Sequence, residues 1–199
     1  MPPLVRSGRG DDRAAVVELV VAAFVTEPAL DYLFADGYAT FAPSFFGYLF
    51  DKRLTSGQVW VSEYDGAVAA VAMWNLPGVV DPTDLPSEDW DAVASRHPAE
   101  VTARMAEYEQ LLAGVKPNEE HYYLGVIATH PDFHGRGLGS AVLQPTLTEA
   151  DAAALPAYLE TGTEANIGFY TRHGFVVDKE VDLPDGPRVW WMRRPAWRP

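Results

Sequence analysis

The spacing of apolar and polar residues changes period several times along this chain, and each change marks an expected element. A short alternating stretch around Val5 reads as a first strand. From Asp11 to Val25, apolar residues at Ala15, Leu19, Ala22 and Ala23 have helical spacing, and Asp11 or Asp12 is placed to cap the start. Tyr38 to Leu54 predicts a second helix, with limits blurred by Pro43 and Gly47. "GQVWVSEYDGAVAAVAMW" predicts two strands joined by a tight turn at Asp65-Gly66. The prolines between Val79 and Ser87 predict a loop, and Ser87 is a candidate cap for a helix through the Glu88 to Leu112 region.

Tyr122 to Thr129 reads as the next strand, followed by a glycine-rich turn and a helix to about Ala153. Pro145 sits inside that helix, where it removes the hydrogen bond to the Ala141 carbonyl. "PAYLET" is then a strand, "EANIGFYTRH" a short helix, and "GFVVDKEVDL" and "GPRVWWMRR" two closing strands. Strands alternating with helices before a terminal hairpin predict an α/β or α+β sheet covered by helices, as one domain over residues 1–199.

Composition narrows the function classes. With 48% hydrophobic and 22% charged residues the chain is globular rather than disordered. No apolar run of about twenty residues predicts a membrane span. "MPPLVRSGRGDDR" lacks the apolar core of a secretory signal, so a cytoplasmic location is expected. Cysteine is absent, which excludes disulfides, thiolate metal sites and a cysteine nucleophile. Lys+Arg of 15 against Asp+Glu of 28 gives a net charge of −13. That balance argues against nucleic acid as a partner and suits a cationic or amine-bearing small molecule, although it also serves solubility. Monomer and homodimer both remain open.

"THPDFHGRGLGSAVL" carries the chemistry. It fits neither the dinucleotide G-x-G-x-x-G spacing, because Ser140 stands at the third glycine place, nor the Gly-Lys-Ser/Thr end of a Walker loop. Still, a strand enters, Gly135, Gly137 and Gly139 follow, and an apolar helix begins at Leu138 or Gly139. The first helical N–H groups have no intrahelical acceptor, and the helix dipole favours an anion there. Arg136 adds a mobile charge. A turn without a ligand is the alternative. His130 and His134 are four apart, but Pro131 and Gly135 prevent a shared helix face, and no metal site is expected. In "NIGFYTRHGF", Asn166 and Tyr170 share a helix face, Phe169 lies on an adjacent one, and Gly174 suits a left-handed cap. Taken alone, Tyr170 reads as a core aromatic with a satisfied hydroxyl.

"HPDFHGRGLGSAVL" resembles the acyl-CoA binding motif of the GNAT superfamily of N-acyltransferases, Gln/Arg-x-x-Gly-x-Gly/Ala. His134 stands at the Gln/Arg place, a departure, and Gly137 and Gly139 at the glycine places. "NIGFYTRHGF" matches the same family's Asn-x-x-x-Tyr-x-x-x-Gly-Phe pattern. The resemblance implies a GNAT fold, a mixed, mostly antiparallel twisted sheet of six to seven strands flanked by helices. It also implies acetyl-CoA (coenzyme A) as cosubstrate, bound by His134, Gly135, Arg136, Gly137, Leu138, Gly139 and Ser140 at the pyrophosphate. Ile127, Ala128 and Thr129 would lie along the pantetheine arm and thioester, and Asn166, Phe169 and Tyr170 beside it. Tyr170 is the implied general acid at the CoA sulfur.

Direct transfer from thioester to amine needs no enzyme nucleophile, which suits a chain without cysteine. Glu160, at the end of "YLET", is the candidate base, acting directly or through water; a strand-end carboxylate in a structural hydrogen bond is the alternative. Glu27, Asp31 and Tyr32 follow the first helix, where the superfamily builds acceptor pockets. His121 and Tyr123 stand at the start of the central strand, His121 as a further candidate base. Trp60, Trp74, Trp90 and Tyr32 are candidate apolar walls. "GQVWV", "AYLET", "FYTRHGFVV" and "DLPDGPRVWWMRRP" extend the resemblance to superfamily members that acetylate aminoacyl-nucleoside antibiotics, least so over Asp81 to Leu112. The expected function is therefore acetyl transfer to a primary amine of a small natural product. A peptide or protein N-terminal acetyltransferase and a non-catalytic acyl-CoA sensor are the alternatives.

Overall fold

The computed structural model describes residues 3–79 and 88–197. The chain opens with β1 (Leu4–Ser7), a 3-10 turn over Gly10–Asp12, and α1 (Arg13–Ala23). Asp12 does not cap α1 with its side chain. Its carboxylate instead accepts from the Arg6 guanidinium, both bonds 2.7 Å, and from the Arg9 N–H, locking β1 to the turn. A short helix that the apolar spacing did not single out follows, α2 (Pro28–Phe34). Proline at its first turn suits the fixed φ of that position, and the Glu27 carboxylate accepts from the Leu30 N–H.

Next come α3 (Tyr38–Ser56) and the hairpin of β2 (Gln58–Tyr64) and β3 (Ala67–Asn75). Its two-residue turn has φ 52° at Asp65 and 80° at Gly66, the left-handed pair a tight hairpin requires. The expected loop over 80–87 and the Ser87 cap lie outside the described residues. The expected single helix after it is two helices, α4 (Glu88–Ala94) and α5 (Ala99–Ala113). Pro98 divides them: it lacks an N–H and disfavours helical backbone at His97, and its own carbonyl opens α5 by accepting from Val101 and Thr102. Then follow β4 (Tyr122–Thr129), α6 (Leu138–Ala153) running through Pro145, β5 (Ala157–Thr161), α7 (Ile167–Arg172), β6 (Val176–Asp182) and β7 (Arg188–Arg194).

The seven strands form one sheet in the order β1-β2-β3-β4-β5-β7-β6, antiparallel except for the β4–β5 pair. Strand period two divides the core between its faces. Val71 and Met73 pack under α1 and α3, whereas Ala70, Ala72 and Trp74 pack under α6. Along β4 the alternation inverts. Tyr122 and Leu124 belong to the α6 side, but Val126 and Ala128 belong to the α1 side. The cause is a bulge: Leu124 pairs with Trp74 and Val126 with Met73, which leaves Gly125 without a partner on β3. One extra residue turns every later side chain to the other face. Among the described residues, no helix is long and apolar enough to cross a membrane.

Candidate active site

The parallel pair is the opening in the sheet. Pairing between β4 and β5 covers only Tyr122–Ala157, Tyr123–Tyr158 and Leu124–Leu159, although β4 continues to Thr129 against β3. From the Gly125 bulge onward the two strands part. A cavity of about 450 Å³ lies at this gap. Phe24, Leu30 and Phe46 line it from the α1 side, and Asn166 and Tyr170 from the other, so it reaches through the sheet.

Polar groups converge on it. The Tyr123 hydroxyl donates to the Glu160 carboxylate, 2.7 Å to Oε1 and 2.5 Å to Oε2. Tyr108 of α5 faces the same carboxylate; burial first, then the charges of Glu160 and Glu27, push its hydroxyl well above the ordinary tyrosine range. Tyr170 is 6% exposed, and the same causes in the same order raise it strongly, so its hydroxyl keeps its proton at any physiological pH. Glu27 ties two elements together: Oε2 accepts from Leu30 N–H at 2.9 Å and Oε1 from Gly162 N–H at 3.1 Å. Its carboxyl is raised mainly by burial, against the lowering effect of these backbone donors. Arg53 of α3, 3% exposed, lays its guanidinium against Gly125 where a Cβ would stand.

The glycine stretch stands at the C-terminal end of β4. The Thr129 carbonyl is 3.0 Å from His134 Nε2, and the His130 N–H donates to Ala69, which folds the loop back on its strand. His134 therefore closes the loop by itself. Gly135 and Gly137 have φ of 75° and 77°, and a Cβ at either would meet open space. Gly137 is the left-handed N-cap of α6, and its carbonyl accepts from Ala141. The N–H groups of Leu138, Gly139 and Ser140 thus begin the helix with no intrahelical acceptor. Arg136 reaches sideways, 2.5 Å from Tyr64 Oη with its guanidinium over the Tyr64 ring. Ser140 Oγ lies 2.9 Å from His173 Nε2, and the half-buried Arg194–Asp151 pair, whose Arg194 also donates to the His173 carbonyl, fixes α7 against α6. Gly174 ends α7 at φ 85°, as its position suggested.

Of the sequence-derived candidates, Glu27, Tyr123, Ile127, Glu160, Asn166 and Tyr170 line one cavity. Asp31 and Tyr32 do not line it; Tyr32 donates outward to Glu107. His121 lies at the opposite end of β4 beside Tyr158. Trp90 is an apolar wall, whereas Trp74 is fully buried in the core and Trp60 donates to Thr146 on the α6 side. Arg53, Tyr108 and Gly125 were not legible as site residues. Nothing in local spacing marks a bulge, and Tyr108 comes from the helix that Pro98 separates. Among the described residues, no group of three His, Cys, Asp or Glu side chains is arranged to hold a metal.

The sheet thus parts at the Gly125 bulge, a protonated Tyr170 stands in the wall of the gap, and α6 starts from left-handed Gly137 beyond the end of β4. Residues 26–175 match the model of the acetyltransferase (GNAT) family, and the chain belongs to that family, whose cosubstrate is acetyl-CoA. The fold recurs in solved structures. A protein described as histone acetyltransferase HPA2 and related acetyltransferase, from Corynebacterium glutamicum, is 22% identical with a TM-score of 0.75, covering 100% of this chain and 99% of that one. Arylalkylamine N-acetyltransferase 2 from Aedes aegypti is 14% identical with a TM-score of 0.67, over 98% and 100%. A chain of the NatC complex bound to Gag peptide and CoA is 11% identical with a TM-score of 0.58, over 98% and 99%.

Proposed function

We propose that this protein transfers an acetyl group from acetyl-CoA directly to a primary amine of a small molecule. The aminoacyl-nucleoside type that puromycin represents is the acceptor class we favour. The observation that carries the reading is the placement of Tyr170 and Glu160 in the wall of one cavity at the strand gap. The glycine segment fits the cosubstrate: left-handed Gly135 and Gly137 leave their outer side open, and free N–H groups of Leu138, Gly139 and Ser140 suit a pyrophosphate. A Cβ at Gly139 would lie 3.2 Å from Thr129 Oγ1 and 3.5 Å from the Phe169 ring, so helix, strand end and α7 form one cradle. Acetyl-CoA supplies an activated thioester carbonyl.

The chain's own groups supply the rest. Backbone N–H groups of β4 beyond the bulge, released from β5, are donors for the carbonyl oxygen and for the amides of the arm. Glu160, oriented by Tyr123, takes the amine proton, and Tyr170 Oη holds the proton that the departing sulfur requires. Phe24, Phe45, Phe46, Trp90 and Met105 give the acceptor's body an apolar wall that excludes water. Acetylation removes the amine's positive charge and adds bulk, which would disarm an antibiotic recognised through that cation. The resemblance of "GQVWV", "AYLET", "FYTRHGFVV" and "DLPDGPRVWWMRRP" to puromycin N-acetyltransferase supports this acceptor class.

A thiol-release assay with acetyl-CoA against puromycin, polyamines, amino acids and peptides tests the reading, with products identified by mass spectrometry. Release should be fastest with aminoacyl-nucleosides. Acetylated peptide N-termini without small-molecule turnover would favour the peptide reading, and CoA binding with no turnover would make the protein a sensor.

A further inference from the structure

β3 and β4 lie side by side and antiparallel, a pairing that a two-residue turn can close, as Asp65-Gly66 closes β2 and β3. Residues 76–121 run between them instead, and they carry α4 and α5 to the large cavity as part of its wall. Thr102, Met105, Ala106 and Glu109 of α5 line it at the spacing of one helix face, and Tyr108 lines it beside Met105. Two bonds fix this face. Arg104 Nε donates to the Leu33 carbonyl and Tyr32 Oη to Glu107 Oε2, each at 3.1 Å, so α5 is tied to α2 on either side of Met105.

Tyr108 packs against the α1-side core and also against the cluster that contains Tyr123. Its hydroxyl hydrogen-bonds the Glu160 carboxylate, the group that Tyr123 also holds. A tyrosine hydroxyl has one proton to give and lone pairs to accept with. Tyr108 can therefore donate to Glu160 and accept an amine N–H at the same oxygen. Met105, three residues earlier, belongs to the apolar wall assigned to the acceptor's body, so Tyr108 links that wall to the carboxylate. Burial and the neighbouring carboxylates keep the hydroxyl protonated, which leaves it able to take a proton only as it gives one up.

We propose that Tyr108 is a catalytic relay, whose Oη takes a proton from the reacting amine as its own proton passes to Glu160. One N–H bond and the Tyr108 O–H bond break. A new Tyr108 O–H bond and an O–H bond on Glu160 form, and the nitrogen lone pair bonds to the thioester carbonyl carbon. Tyr108 ends as it began. The inference rests on the reading of Glu160 as the base, and adds the group through which the amine reaches it.

Tyr108→Phe keeps the ring and removes the relay oxygen. Single-turnover thiol release, with the best amine of the screen above, should slow about 10²-fold, the low end of the range for a positioned proton-transfer group. CoA affinity by titration calorimetry should match the wild type, which shows that the variant is folded. A relay moves two protons in one step, whereas a tyrosine that only orients Glu160 leaves one in motion. In mixtures of light and heavy water, the wild-type rate should therefore curve with deuterium fraction more strongly than the variant's. An undiminished rate in Tyr108→Phe, or equal curvature in both proteins, overturns the relay. If Glu160→Gln alone is slow, the base stands without the relay; if Glu160→Gln runs at full rate, the base reading fails and takes the relay with it. No release from the wild type with any amine would remove the transfer reading and the relay together.

Discussion

Tyr170→Phe is expected to lower kcat for any amine the enzyme accepts by about 10²- to 10⁴-fold, the range for removal of a positioned general acid. CoA affinity should stay near that of the wild type. The ring is held by packing alone: Phe169 and Phe175 meet it edge-on at 5.3 and 6.2 Å, and phenylalanine keeps both contacts. What disappears is one proton. Burial and the neighbouring Glu160 and Glu27 charges disfavour the tyrosinate, so wild-type Tyr170 remains a donor across the working pH range and contributes no alkaline limb of its own below the ordinary tyrosine pKa. Stopped-flow thiol release gives kcat, and titration calorimetry with CoA gives affinity. Equal turnover in the variant would remove Tyr170 from the acid role.

Glu160→Gln should cost a comparable factor, about 10²- to 10⁴-fold in kcat/KM, and it separates two roles for this carboxylate. Glutamine can still accept the Tyr123 hydroxyl through its amide oxygen, so a residue that merely braces the strand end would be replaced at little cost. A proton acceptor would not. A full-rate variant would leave Glu160 as a brace.

Much of this frame was legible in the sequence because local chemistry dictated it. Asp65-Gly66 permits only the left-handed turn between β2 and β3, and the alternation of β3 assigns its residues to two cores. The glycine stretch and "NIGFYTRHGF" fall on the helices expected of them. Other features depend on partners distant in the chain. The face of Val126 and Ala128 depends on register with β3, since the Gly125 bulge inverts an alternation that the sequence shows as continuous. Asp12 looked like a cap, but the Arg6 guanidinium competes for its carboxylate and wins with two charge-assisted bonds. Helical spacing alone predicts one helix through the Glu88 to Leu112 region, whereas Pro98 breaks it because its neighbour His97 cannot easily stay helical. Trp74 and Trp90 look alike in sequence, and only packing makes the first core and the second a cavity wall.

Hydrogen exchange with and without CoA tests the placement of the cosubstrate most directly. Binding at the strand gap should slow exchange at the amides of Val126 to Thr129, where β4 has left β5, and of Gly135 to Ser140 around the start of α6. Amides along β1 and β6, the two edges of the sheet, should exchange at the same rate in both states. Protection confined to those edges, with Gly135 to Ser140 unchanged, would contradict the account.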